Sequence, residues 1–114
     1  MKGKELINVK GKDCPIAQAS MLVGDMWVIL IIRDLLTGER RFTELEHSLV
    51  SSANHSINSR TLTDRLKMLE EMKVVTRKVY AHTLPPKVEY SLTEKGKALS
   101  SVIEKIRHYG QKYF

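Results

Sequence analysis

A single cysteine, Cys14, in 114 residues excludes a disulfide within the chain and leaves no second thiol to share a metal. The four histidines, His47, His55, His82 and His108, form no i, i+4 pair and have no cysteine partners, so zinc-site spacing is missing. Gly24, Gly38 and Gly96 stand alone instead of forming a phosphate-cradling loop, and Gly96 reads as a point of close helix packing. The adjacent carboxylates Glu70 and Glu71 fall on different sides of a helix and offer no acid–base couple. No catalytic constellation, metal site or cofactor motif is therefore expected. The longest apolar run, "MWVILII" from Met26 to Ile32, is far short of the roughly 18 residues a bilayer span needs, and it reads as a buried helix. The start carries lysines but no apolar export region, so the expected compartment is the cytoplasm, with no membrane partner.

What is present is a chain 42% hydrophobic and 28% charged, the balance of one globular domain with a single core. Residues 1–13 are polar and glycine-containing and are expected to be a flexible arm; residues 14–114 form the domain. Acidic side chains are in deficit, 13 against 19 basic, and the net charge of +6 favours an anionic partner, nucleic acid ahead of a membrane surface.

Periodicity gives the order of elements. Helices are expected from about Ile16 to Val23 and Met26 to Leu36, with Gly38 suited to the left-handed position beyond the second. A short third helix follows, with Thr43 and Glu46 in capping-box spacing and Phe42, Leu45 and Leu49 on one side. "VSSANHS", Val50 to Ser56, reads as a turn. Asn58 then caps a fourth helix whose core stripe is Leu62, Leu66, Leu69 and the stem of Lys73. The period next drops to two in "VVTRKVYA" and "VEYSL", which "HTLPPK" joins as a stiff, basic hairpin tip. Thr93 caps a long last helix with the stripe Leu99, Val102, Ile103, Ile106 and Tyr109, longer than one small domain needs to cover itself. The fold class is mainly α with a small β-hairpin (α+β): a helix-turn-helix followed by a wing.

That order assigns chemistry. The second helix of such a motif offers its N-terminal part to base edges in the major groove. Asn58, Ser59, Thr61 and Thr63 are short enough to approach closely; Arg60 reaches guanine or phosphate; Asp64 and Lys67 share the outward side. In the wing, Arg77, Lys78, His82 and Lys87 are placed to grip the flanking backbone or minor groove. The competing account is an ordinary solvated helix face. Arg65 lies at the flank of the core stripe, where pairing with Glu44 or Glu46 is expected.

From Cys14 to Tyr109 the chain also resembles the HxlR-type, MarR-like winged helix regulators of transcription. The resemblance rests on Cys-Pro at Cys14, Gly-x-x-Trp from Gly24, Arg-Phe-x-Glu-Leu from Arg41, Leu-Thr-x-Arg-Leu from Leu62 and Pro-x-Val-Glu-Tyr-Ser-Leu-Thr-x-x-Gly from Pro86. It implies a homodimer built on the terminal helices, with Leu99, Val102, Ile103, Ile106 and Tyr109 as its dimerisation set, on a double-stranded DNA operator of two-fold character. Val50 to Ser56 departs from the family's very short turn and puts the docking geometry in question, as does Asn58 in place of the usual serine cap. The resemblance also makes Cys14 a redox-sensing candidate, with an oxidant or other small electrophile as effector. A helix N-terminus and Lys10 or Lys12 nearby favour a reactive thiolate there; the alternative is a buried, inert thiol. The expected function is that of a sequence-specific DNA-binding regulator of transcription, a dimeric repressor by operator occupancy. The alternative is a winged-helix protein-interaction module that has lost DNA binding.

Overall fold

Proline at a first helical position forfeits only an N–H that the helix would leave unpaired, and Pro15 opens α1, Pro15–Val23, in that way. The computed structural model describes residues 14–53 and 56–114. The proposed arm, Met1 to Asp13, lies outside them, as do Asn54 and His55. Asp25 caps α2, Met26–Leu35: its Oδ1 accepts the Val28 N–H at 3.1 Å, while Oδ2 accepts from Arg65 Nε at 2.9 Å. One carboxylate thus starts the central helix and ties it to the fourth. Arg65 is in a structural pair, as the sequence implied, but its partner is Asp25 and not Glu44 or Glu46. The cap is worth about 1 kcal/mol and the half-exposed ion pair at most about another.

The apolar run becomes the centre of the core. Val28, Ile31 and Ile32 are completely buried and Leu35 nearly so, at the spacing of one helical face. Gly38, at φ +139°, turns the chain as expected, and Arg40 then exchanges both backbone hydrogen bonds with Tyr90, at 3.0 and 2.8 Å. This single bridge fastens the α2–α3 connection to the hairpin.

α3 is Phe42–Ala53. It starts earlier than the Thr43 cap would place it: the Arg41 carbonyl receives the first helical bond, and the Glu44 carboxylate reaches back to the Arg41 N–H at 2.7 Å. Its far end corrects a second expectation. Val50 to Ala53, read as turn, are helix and extend α3 by about one turn. Ile57, buried just before the Asn58 cap, and Leu62 hold the two positions of a hydrophobic staple.

α4, Ser59–Glu71, begins with the Arg60 N–H on Asn58 Oδ1 at 2.7 Å and buries Leu62, Leu66 and Leu69. Lys73 is not the next residue of that stripe. It is exposed, with φ 62°, in the left-handed position of a Schellman ending: Val74 N–H bonds Leu69 O and Lys73 N–H bonds Glu70 O. Val74 takes the buried place instead.

β1, Val75–Tyr80, pairs antiparallel with β2, Lys87–Leu92, from Val75 opposite Leu92 to Tyr80 opposite Lys87. Val75, Arg77, Val79, Val88, Tyr90 and Leu92 share one face; Thr76, Lys78, Tyr80, Lys87, Glu89 and Ser91 share the other. The long last helix is divided. Thr93 does cap, accepting the Gly96 N–H at 3.2 Å, but α5, Glu94–Lys97, gives way at Ala98 and Leu99 to α6, Ser100–Tyr113. There the Leu99 N–H turns to Gly96 O, three residues back, and the helix tightens before continuing. No single helix among the described residues is long and apolar enough to cross a membrane; α1 and α2 are bent 77° apart.

Candidate nucleic-acid interface

The buried stripe of α4 dictates what its other side presents. Ser59, Arg60, Thr63, Asp64 and Lys67 are exposed, and Thr61 is half-buried toward the fold. At about 1.5 Å rise per residue, the exposed set forms a band roughly 12 Å long, comparable with the width of a major groove. Arg60 and Lys67 make no ion pair among the described residues. The short side chains are less free than the sequence implied. Asn58 spends its oxygen on the cap, Ser59 Oγ donates to Glu46 Oε2 at 3.0 Å, and Thr63 Oγ1 donates to Ser59 O at 2.9 Å. Ser59 and Thr63 therefore present acceptor lone pairs outward, and Asp64 adds a carboxylate, a group that accepts from cytosine N4 and repels phosphate.

The pairing register splits the wing residues. Arg77 lies on the same sheet face as Tyr90, and it lines with Thr63, Lys67, Glu70 and Glu71 an open cavity of about 470 Å³ between α4 and the hairpin. Lys78 and Lys87 are on the opposite face, with their ammonium groups 4.9 and 5.2 Å from the Tyr80 ring centre. His82 meets that ring edge-on at 6.0 Å. Lys87 also pairs with Glu89 at 2.9 Å; that hydrogen bond, partly opposed by burial and helped by the Lys87 and Arg41 charges, holds the Glu89 carboxyl below its usual range. Glu89 thus gives up its charge, and its pair with Lys87, only at a lower pH than an ordinary glutamate would. Sequence reasoning missed Tyr80, Glu46 and Arg41. The aromatic-plus-cation pattern of Lys78, Tyr80 and Lys87 was open to a reader who had fixed the strand register.

The last-helix stripe divides likewise. Ile103 is 6% exposed within this chain's own core and Leu99 packs against it, whereas Val102, Ile106 and Tyr109 are exposed, as are Tyr113 and Phe114 beyond them. Cys14 is buried at the N-cap of α1, its carbonyl taking the Gln18 N–H at 2.9 Å. An open, largely apolar groove of about 520 Å³ follows it, lined by Pro15, Gln18, Ala19, Met21, Leu22, Met72 and Lys95. Lys10 and Lys12 lie outside the described residues. Among those described, no three of His, Cys, Asp and Glu are grouped to hold a metal ion.

Residues 22–114 match the family described as HxlR-like helix-turn-helix. The chain is 39% identical over 101 residues to the HTH-type transcriptional regulator YvaP of Bacillus subtilis (strain 168), covering 88% of each. Among solved structures it is similar to the redox regulator HypR in its oxidized form, with TM-score 0.78, 34% identity, and coverage of 89% of this chain and 98% of that one. It is also similar to quinone-bound YodB from B. subtilis, with TM-score 0.69, 34% identity, and coverage of 88% and 99%. These relatives give no support to an interaction module that has lost DNA binding.

Proposed function

The chain belongs to the HxlR-like helix-turn-helix family and is a regulator of transcription, and from that premise we propose that it acts as a homodimer reading a two-fold DNA operator. α4 enters the major groove, with Arg60 and Asp64 at base edges and Ser59, Thr63 and Lys67 at bases or phosphates. Arg77 continues the α4 surface. Lys78, His82 and Lys87 hold the flanking backbone. The observation that carries this reading is the exposed band of Ser59, Arg60, Thr63, Asp64 and Lys67, whose two cations make no ion pair among the described residues. Occupancy of an operator by such a dimer excludes polymerase, so repression is the expected sign.

Arg60→Ala is expected to weaken operator binding by about 1–3 kcal/mol and to relax preference at one base pair. Titrations at several salt concentrations test this, since each lost phosphate contact also reduces the log–log salt slope by about 0.9. An equal loss on every sequence would move Arg60 to the backbone, and a wild-type affinity insensitive to salt would end the DNA reading.

Cys14 is the proposed sensor, supported by the similarity to HypR and YodB. Its sulfur is buried, so reaction with an electrophile reports opening around the start of α1, and modification there biases α1 against its neighbours. Cys14→Ser is expected to bind operator like the wild type while losing release by diamide or quinone. Retained release in that variant would remove Cys14 from the response.

A further inference from the structure

The hairpin tip carries a feature that neither the core nor the cations of the wing explain. Leu84 is 95% exposed at the apex of residues 81–86. Single exposed leucines are ordinary on protein surfaces, but this one is mounted on a rigid support. The Thr83 hydroxyl lies within donating distance of the Tyr80 and Pro85 carbonyl oxygens, at 2.9 and 3.0 Å, and accepts the Lys87 N–H at 2.8 Å. One side chain therefore fastens both ends of the loop across its base. Pro85 and Pro86 follow Leu84 directly and fix two successive φ angles. Little conformational freedom is left for the tip to lose on binding.

Below the apex lie three cations, Arg41, Lys78 and Lys87, of which Lys87 is paired with Glu89. Arg41, which precedes α3, shares with Thr83, Leu84, Pro85, Pro86 and Lys87 an open cavity of about 320 Å³. Lys78 and Lys87 flank Tyr80 on the adjoining sheet face. An apolar point on a positively charged stalk fits one kind of partner well: a narrow, electronegative channel with apolar walls. The minor groove of duplex DNA is such a channel, about 6 Å wide, with phosphates along both rims and sugar edges inside. A lipid surface would need a broader apolar patch than one side chain.

We infer that Leu84 is a wedge that enters the minor groove beside the major-groove contacts of α4 and partly unstacks one base step there. The inference rests on the DNA-binding reading above and deepens it. It carries a sequence preference at positions no polar side chain reads. Guanine places its N2 amino group on the floor of this groove, and an isobutyl group seated over it leaves that donor without a partner, so the step under Leu84 is A·T-rich. Unstacking by an inserted apolar side chain also bends the duplex away from it, toward the major groove.

The test uses duplexes that the wild-type protein recovers from a randomised pool, remade with 2-aminopurine at successive flanking positions. Binding is expected to brighten the probe at one flanking step. Leu84→Ala should abolish that rise and weaken binding roughly tenfold, as loss of a leucine's buried surface implies, with thermal stability unchanged. Leu84→Met should restore both. Lys87→Ala should weaken binding while the rise survives at saturation. Wild-type affinity and signal in Leu84→Ala, or no brightening at any flanking position, would overturn the wedge and leave DNA binding intact. Failure to recover any duplex would remove both readings together.

Discussion

Gly96→Ala is expected to destabilise the protein by about 1–3 kcal/mol, although the same change in an open helix would stabilise it by up to about 1 kcal/mol. The sign is decided by what surrounds Gly96. A Cβ there would lie 2.4 Å from the Val74 carbonyl oxygen, 2.9 Å from Leu92 Cδ2 and 3.2 Å from Leu92 Cβ. The leucine methyl ends a side chain that can shift; the carbonyl belongs to backbone held by other hydrogen bonds. Val74 O accepts the Thr93 N–H at 3.0 Å, and the Thr93 hydroxyl bonds Lys73 O at 2.6 Å while capping α5. The added methyl therefore pushes apart the seam at which α4 ends, β2 leaves and the last helices begin. Gly110→Ala in α6 is the matched control, because a Cβ there meets nothing within 4 Å. Urea unfolding should show the midpoint falling for Gly96→Ala and holding or rising for Gly110→Ala. A midpoint that rises in both would mean that the seam yields.

The role of Gly96 was legible in the sequence as close packing, and so was the Asn58 cap, because both are local requirements of single residue types. The order of helices and hairpin was legible for the same reason: each element buries its own periodic face. What escaped has a common physical origin in contacts between distant parts of the chain. Arg65 had acidic candidates in the preceding helix, and only the packing of α4 against the start of α2 selects Asp25. The Arg40–Tyr90 bridge is one residue long and leaves no alternation to read. Val50 to Ala53 carry no second apolar stripe, so a polar helical turn looked like a loop. In the candidate interface, residue types were legible but their hydrogen-bond commitments were not. That Ser59 donates to Glu46, and Thr63 to Ser59 O, depends on the meeting of α3 with α4 and on a rotamer.

Ile106→Asp is expected to have the largest functional effect, converting the proposed dimer into folded monomers and lowering operator affinity by about 10²-fold or more. Ile103 is the inward residue of α6, at 6% exposure, while Val102, Ile106, Tyr109 and Tyr113 stand outward. Their spacing of four, three and four residues is that of a seam between two helices wound together. Ile106, 42% exposed, tolerates a carboxylate in an isolated chain. In a two-fold seam the same carboxylate is buried twice without a partner, at a cost of about 3–5 kcal/mol for each charge. Once the two copies separate, each binds a half-site alone and the gain from joining them is lost. Sedimentation should give the monomer mass for Ile106→Asp, with the helical content of the wild type and a cooperative thermal transition. Ile103→Asp should instead fail to fold, since its side chain belongs to the domain's own core. If Ile106→Asp keeps both the dimer mass and the operator affinity, the seam on α6 is not the interface, and the two-fold reading of the operator must be rebuilt on another face.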